Sequence, residues 1–172
     1  LETRGVEFYD GALNTMKNMS AHGKINYRTG HHINFGVNVA GLGITGLKFG
    51  LDLYDIDPQG RVASTSRIPL KSFPFVHDFG VTENYAVFLL SSITMGVTGP
   101  ILGTAAISDV TEYRMNKPVT GIIVDLRDMK VVRTFELPPA LIVHFGNSYE
   151  QGDEIVTDFI RSTDPGNFAA IK

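Results

Sequence analysis

Most of this chain consists of short runs in which apolar residues alternate with small or polar ones, each cut off by a turn signal. A period of two puts successive side chains on opposite faces of a strand. Leu47 to Ile56 is the cleanest run, with Leu47, Phe49, Leu51 and Leu53 set against Lys48, Gly50, Asp52 and Tyr54. It stops at Asp57-Pro58-Gln59-Gly60, where proline presets one turn angle and glycine supplies another, so Arg61 to Pro69 is predicted as the return strand of a hairpin. The same reading predicts strands at Val6 to Tyr9, Ile33 to Val39, Gly121 to Leu126, Val131 to Leu137, Leu141 to Asn147 and Ile155 to Ile160. Two more flank Thr82-Glu83-Asn84 within Phe73 to Leu90. Helical periodicity is confined to a weak stretch near 101–109. About ten strands joined by short loops predict an all-β fold, built as a sandwich, a barrel or a propeller. Strand number alone fits two or three four-stranded blades as well as a two-sheet sandwich.

One stretch breaks the alternation. No charged residue occurs from Asn84 to Ser108, and Phe88 to Ile107 is apolar enough to pass a hydropathy window for a membrane span. Gly96, Gly99-Pro100 and Gly103 would interrupt such a helix repeatedly. The sequence therefore reads as a buried strand, Tyr85 to Leu90, followed by an apolar loop and a short helix. The alternative is an apolar surface over 88–107 that dips into a bilayer to collect a lipid-like substrate. The glycine-rich Gly41-Leu42-Gly43-Ile44-Thr45-Gly46 segment lacks the strand–turn–helix context of a phosphate site and is read as a loop.

Composition narrows the chemistry. The chain has 172 residues, enough for one ordinary domain with a core, and no cysteine, which removes disulfides, thiolate metal sites and cysteine nucleophiles together. Its formal net charge is −3, with no block of Lys or Arg, so nucleic acid is not an expected partner. It begins at Leu1 and ends at Asn167-Phe168-Ala169-Ala170-Ile171-Lys172 without a closing element, so it is read as a piece of a longer polypeptide.

The candidate chemistry lies in three histidines, His22, His77 and His144, which are 55 and 67 residues apart. Those gaps are too long for a zinc finger or a His-x-x-x-His helix face. They suit a repeat architecture in which each unit delivers one inward imidazole to a shared axis. That favours blades. Phe75-Val76-His77-Asp78-Phe79, if extended, puts Phe75 and Phe79 on the face of His77, an apolar setting that favours a neutral imidazole. A buried core histidine is the rival reading. His144 shares its face with Ile142 and Gly146, which leaves space beside it, while Asn147 and Glu150 are polar groups that need partners. His22 by itself is a loop histidine, and His31-His32 follow a turn where surface residues are expected. Imidazole ligands suit iron, zinc, copper or nickel and do not choose among them.

Taken together, these contexts resemble the carotenoid cleavage oxygenase family. Ser20-Ala21-His22-Gly23-Lys24 is similar to its Ala-His-Pro-Lys segment, with Gly23 in place of the proline. Phe75 to Tyr85 is similar to its His-Asp-Phe-x-x-Thr-x-x-Tyr motif. His144-Phe145-Gly146-Asn147-Ser148-Tyr149-Glu150 is similar to His-x-x-Asn-Ala/Thr-aromatic-Glu, with Ser148 departing mildly. The resemblance implies a seven-bladed β-propeller, of which this chain would supply about three blades as part of a single catalytic domain spanning 1–172. It further implies one non-haem Fe(II) held by four histidines, three of them His22, His77 and His144, the fourth beyond Lys172. The implied partners are O2 and a hydrophobic polyene, a carotenoid or apocarotenoid cleaved at a C=C bond to carbonyl products. Phe75 and Phe79 are then candidates to line the substrate tunnel. A stilbene-cleaving dioxygenase is the alternative within the family, and a non-catalytic propeller module the alternative outside it. A cytoplasmic or plastid location is implied, with peripheral membrane contact through 88–107. The isolated piece, with three ligands of four, is expected to be inactive.

Overall fold

The structure, a computed structural model, describes residues 2–3, 5–15, 17–44, 46–164 and 166. Its strands are arranged in antiparallel sheets that begin at a short strand and proceed outward. The first sheet contains β1 (Lys24–Ile25), β2 (His32–Gly43), β3 (Gly46–Ile56) and β4 (Val62–Leu70), in chain order. The second contains β5 (Gly80–Val81), β6 (Tyr85–Leu90), β9 (Val119–Asp125) and β10 (Lys130–Leu137), again from first to last. β11 (Leu141–Gln151) and β12 (Glu154–Ser162) form a third, two-stranded sheet. Between β6 and β9 the chain makes a small outlying hairpin, β7 (Ile93–Met95) with β8 (Thr111–Tyr113), around the one-turn helix α1 (Thr98–Ile101) and a 3₁₀ turn at Ile107–Val110.

The two inner strands β1 and β5 contact each other, and β5 contacts β11, so the sheets radiate from a common centre. This is propeller geometry, with two complete blades and the first two strands of a third. A two-sheet sandwich, equally compatible with strand number, has no such centre. Leu51, Leu53, Ile33 and Phe35 of the first blade pack on Phe88, Ala86, Ile122 and Val124 of the second. Phe35 meets Phe88 edge-on at 5.3 Å and Phe79 at 5.0 Å, the arrangement that the ring quadrupole favours.

β2 shows how sequence alternation builds the site. Ile33, Phe35 and Val37 face the core, while Asn34, Gly36 and Asn38 face the segment that precedes β1. Asn34 donates to the Ser20 carbonyl at 3.1 Å, Asn38 accepts from the Asn18 N–H at 2.9 Å, and Asn18 donates to the Val37 carbonyl at 3.0 Å. A Cβ at Gly36 would lie 2.0 Å from the Asn18 carbonyl oxygen. Only glycine allows this close approach. The chain leading to His22 is therefore laid across a strand face whose polar half is shaped to receive it.

Two expectations change and one holds with an addition. Val6 to Tyr9 is not a strand: Tyr9 and Asp10 have φ of 50° and 52°, and the segment turns back with Gly11 N–H on the Phe8 carbonyl. Four residues are too short to hold as a strand without a neighbouring edge to pair with. The glycine-rich segment is less of a loop than expected, because β2 and β3 pair up to Gly43 and Gly46; its Thr45 lies outside the described residues. The apolar 88–107 stretch follows the expected course of a buried strand, β6, and a short helix, α1, with β7 added between them, and no helix among the described residues is long and apolar enough to cross a membrane. Ile101, Leu102 and Ile107 are left exposed.

Candidate metal centre

His22 lies two residues before β1, His77 three residues before β5, and His144 within β11. Each therefore sits at the inner start of a different blade. The imidazoles converge: ring centroids are 4.5 Å apart for His22 and His77, 5.3 Å for His22 and His144, and 5.2 Å for His77 and His144. One ring nitrogen from each lies within 4.8 Å of the others. His22 Nε2 and His77 Nε2 are 2.8 Å apart. Two imidazole nitrogens bound to one ion at about 2.1 Å and at right angles are about 3 Å apart, so this pair is spaced for a shared ion. Burial, reinforced by the neighbouring His22 and His144, holds the His77 pKa below its ordinary value, which keeps its ring neutral and able to ligate. Three imidazole nitrogen donors with no cysteine nearby fit a divalent transition metal.

Short inner strands cannot by themselves fix this geometry, and side chains supply the rest. The Ser20 hydroxyl donates to the His77 carbonyl at 3.0 Å and accepts from the His22 N–H at 3.1 Å. Ser91 accepts from the Ile142 N–H and donates to its carbonyl, both at 2.9 Å, fastening the end of β6 to the start of β11 just before His144. Glu150 reaches the turn after β5, where its carboxylate accepts from the Thr82 hydroxyl at 2.6 Å and from the Asn84 N–H and side-chain amide at 2.7 and 2.9 Å. Burial works to raise the Glu150 pKa, but the Thr82 and Asn84 hydrogen bonds outweigh it and hold the carboxyl below its ordinary value. Asn26 ties the first blade to the same turn by donating to the Glu83 carbonyl at 2.9 Å.

The residues singled out from sequence divide. His22, His77 and His144 come together. Phe75 stacks on His77 with rings parallel to within 1° and centroids 6.0 Å apart. Phe79 does not share that position. Its ring is fully buried, stacked on Phe88 at 5.1 Å and edge-on to Phe35, which places it in the core and not along a cavity wall. The reason is that 75–79 is not a regular strand, so alternation does not carry through to Phe79. His31 and His32 are less exposed than a surface turn suggests: His31 Nδ1 contacts Asp55 at 2.6 Å, and a Cβ at Gly23 would lie 1.9 Å from His32 Nε2. The His32 ring thus fills the space that a proline at position 23 would need. Of the polar residues flagged beside His144, Glu150 has the partners just described, while Asn147 is exposed.

Cavity residues were not legible in the sequence. One cavity is walled by Ser20, Ala21, Phe73, Val76, His77 and Met95, among others. It adjoins a second that shares Asn18, Val37, Phe73 and Met95 and extends to Val97, Ile101 and Ile107. Phe73 and Met95 lie on loop and outlying hairpin, where no periodicity marks them.

Comparison with known proteins agrees with this arrangement. The family model described as retinal pigment epithelial membrane protein (RPE65) matches residues 1–172. The chain belongs to that family, the carotenoid cleavage oxygenases. Over 93% of its length the chain is 25% identical to apocarotenoid-15,15'-oxygenase of Synechocystis, covering 32% of that protein. It is 30% identical to carotenoid 9,10(9',10')-cleavage dioxygenase 1 of Pisum sativum over 96% of its length and 29% of the relative's. An 88-residue stretch is 36% identical to lignostilbene-alpha,beta-dioxygenase isozyme III of Sphingomonas paucimobilis, covering 51% of this chain and 17% of that one. The chain thus spans about a third of the length of the carotenoid-cleaving relatives. Among solved structures, cobalt-substituted Synechocystis apocarotenoid oxygenase superposes with a TM-score of 0.77 at 22% identity, over 94% of this chain and 33% of that one. That likeness shows the shared propeller fold.

Proposed function

We propose that the full-length protein containing this chain is a non-haem Fe(II) dioxygenase that uses O2 to cleave one C=C bond of a carotenoid or apocarotenoid into two carbonyl products. The observation that carries the reading is the meeting of three imidazoles, one from each blade, beside an apolar cavity. In this reading residues 1–172 are part of one catalytic propeller domain, and His22, His77 and His144 are three of four ligands, the fourth coming from outside the chain. Bound there, Fe(II) would supply the redox chemistry that O2 requires, since none of the common side chains does so.

The chain's own residues hold and orient. Neutral His77 presents a lone pair without first losing a proton. Phe75 backs its ring and restricts its rotation. Phe73, Val76 and Met95 give the cavity an apolar wall that suits a rigid polyene and excludes water. Among the described wall residues of that cavity His77 is the one titratable group, which fits a cleavage that adds both oxygen atoms of O2 across a C=C bond and needs no general acid. Exposed Ile101 and Ile107 line the adjoining cavity, with exposed Leu102 next in the chain to Ile101, and we propose substrate entry and peripheral membrane contact there.

Stilbene cleavage is the second reading, favoured by the lignostilbene dioxygenase relative, which has the higher identity over a shorter stretch. Incubating iron-loaded full-length protein with an apocarotenoid and with a hydroxystilbene, and identifying the aldehydes formed, decides between them. Aldehydes from the polyene alone support the first reading. Aldehydes from the stilbene alone support the second, and none from either contradicts both.

A further inference from the structure

One buried charged group directly follows His77 in the chain. Asp78 is 4% exposed, and a carboxylate so placed must be fully paired. Its Oδ1 accepts from Lys24 Nζ at 2.9 Å and from the Phe79 N–H at 2.8 Å, and its Oδ2 accepts from the Phe145 N–H at 2.9 Å. Each of these partners lies within two residues of a different histidine: Lys24 follows His22, Phe79 follows His77, and Phe145 follows His144. The bonds from Lys24 and Phe145 bridge separate blades, over 54 and 67 residues of chain. No other described side chain makes bonds into all three histidine-bearing segments.

We propose that Asp78 is the positioning residue of the histidine centre, a buried carboxylate that sets the spacing of all three ligating segments before any ion arrives. The inference rests on the histidine-centre reading above. Its physical basis is geometric. β1 and β5 are each two residues long, so the ladder contributes few bonds at the point where the ligands must register. Hydrogen bonds to a charged acceptor are about twice as strong as neutral ones and are directional. Two backbone N–H groups and the Lys24 ammonium converge on one buried carboxylate, which thereby ties the His144 segment by its backbone and the His22 segment by its Lys24 side chain to the segment of His77. The carboxylate also neutralises Lys24, leaving no unpaired cation beside the imidazoles. An amide cannot replace it. Asparagine at position 78 would turn one acceptor into an N–H₂ that faces either the Phe145 N–H or the Lys24 ammonium, donor against donor.

The test uses full-length protein, stripped of metal and titrated with Co(II), whose visible d–d bands report the number and arrangement of ligands. The proteins compared are wild type, Asp78→Asn, Asp78→Ala, Lys24→Gln and, as a control, His77→Ala. Asp78→Asn is expected to lose about 10–100-fold in Co(II) affinity, the range for groups that orient ligands, with altered d–d bands although all histidines remain. Lys24→Gln, at a partly exposed position, is expected to show a smaller change in the same direction and serves if the Asp78 variants fail to fold. Wild-type affinity and an unchanged spectrum in folded Asp78→Asn, or in Lys24→Gln should the Asp78 variants be unfolded, would overturn the proposal. If His77→Ala in that experiment abolishes binding, the histidine centre survives that failure. If wild type binds no Co(II), or His77→Ala binds it normally, the histidine reading itself fails and the proposal with it.

Discussion

The inner and outer parts of these blades are held by different means. β2, β3 and β4 are 9 to 12 residues long and pair over nearly their full length, so ladder bonds and an alternating apolar face suffice. The inner strands β1 and β5 are two residues each, too short to define a register. There the work passes to single polar side chains reaching far along the chain: Ser20 to His77, Asn26 to Glu83, Asp78 to Phe145, Glu150 to Asn84. Outer strands are determined by pattern and tolerate change that preserves the pattern. The centre is determined by individual atoms.

Substitutions in the two regions are expected to behave differently. Phe88→Ala, in the core shared by two blades, removes a fully buried ring and is expected to cost about 3–5 kcal/mol in denaturant unfolding of the full-length protein. Leucine at the same place should recover most of that, because pattern and approximate volume are kept. Glu150→Ala strands the buried donors of Thr82 and Asn84 and is expected to cost about 1–3 kcal/mol; glutamine, although nearly isosteric, should recover little of it. The Glu150 effect also has a pH sign. Its folded-state pKa lies below the ordinary value of 4.5, so its contribution is complete above that value and is lost as pH falls through the folded pKa. Thermal melts of wild type should therefore fall more steeply than those of Glu150→Gln below about pH 4.5.

Gly23→Ala pushes a Cβ into the His32 ring and is expected to cost about 1–3 kcal/mol. His32→Ala should remove most of that cost, and a double-mutant cycle measures the coupling. The smallest effect is expected at Ser148, whose hydroxyl is buried without a partner among the described residues. Ser148→Ala should leave stability unchanged or raise it by roughly 1 kcal/mol. A clear loss there would mean that the hydroxyl is bonded in solution.

The same contrast explains what could be read from the sequence. β3 and the turn at 57–60 were legible because alternation and turn chemistry are local. Fold class followed from many such segments, and the blades from the histidine spacing. Val6 to Tyr9 misled because a short apolar run carries no information about whether an edge is free to pair with it. Phe79 misled because alternation was extended through chain that is not a strand. The three histidines were found through their flanking motifs, and the structure now gives those motifs a physical content: the motif residues Asp78, Thr82 and Glu150, with Asn84 at an open position between Thr82 and Tyr85, make the bonds that join the blades. What stayed hidden was the set of partners. Nothing local to Ser20 or Asn26 indicates a bond 57 residues away, and Phe73 and Met95 meet in a cavity wall only because the outlying hairpin folds back.

His22, His77 and His144 are proposed to hold one iron. Metal analysis of full-length protein purified without added chelator tests this most directly. About one iron per chain is expected in wild type, with loss of that iron in His77→Ala and His144→Ala proteins that remain folded. Iron-free wild type that still cleaves substrate, or full iron retained in both folded variants, would contradict it.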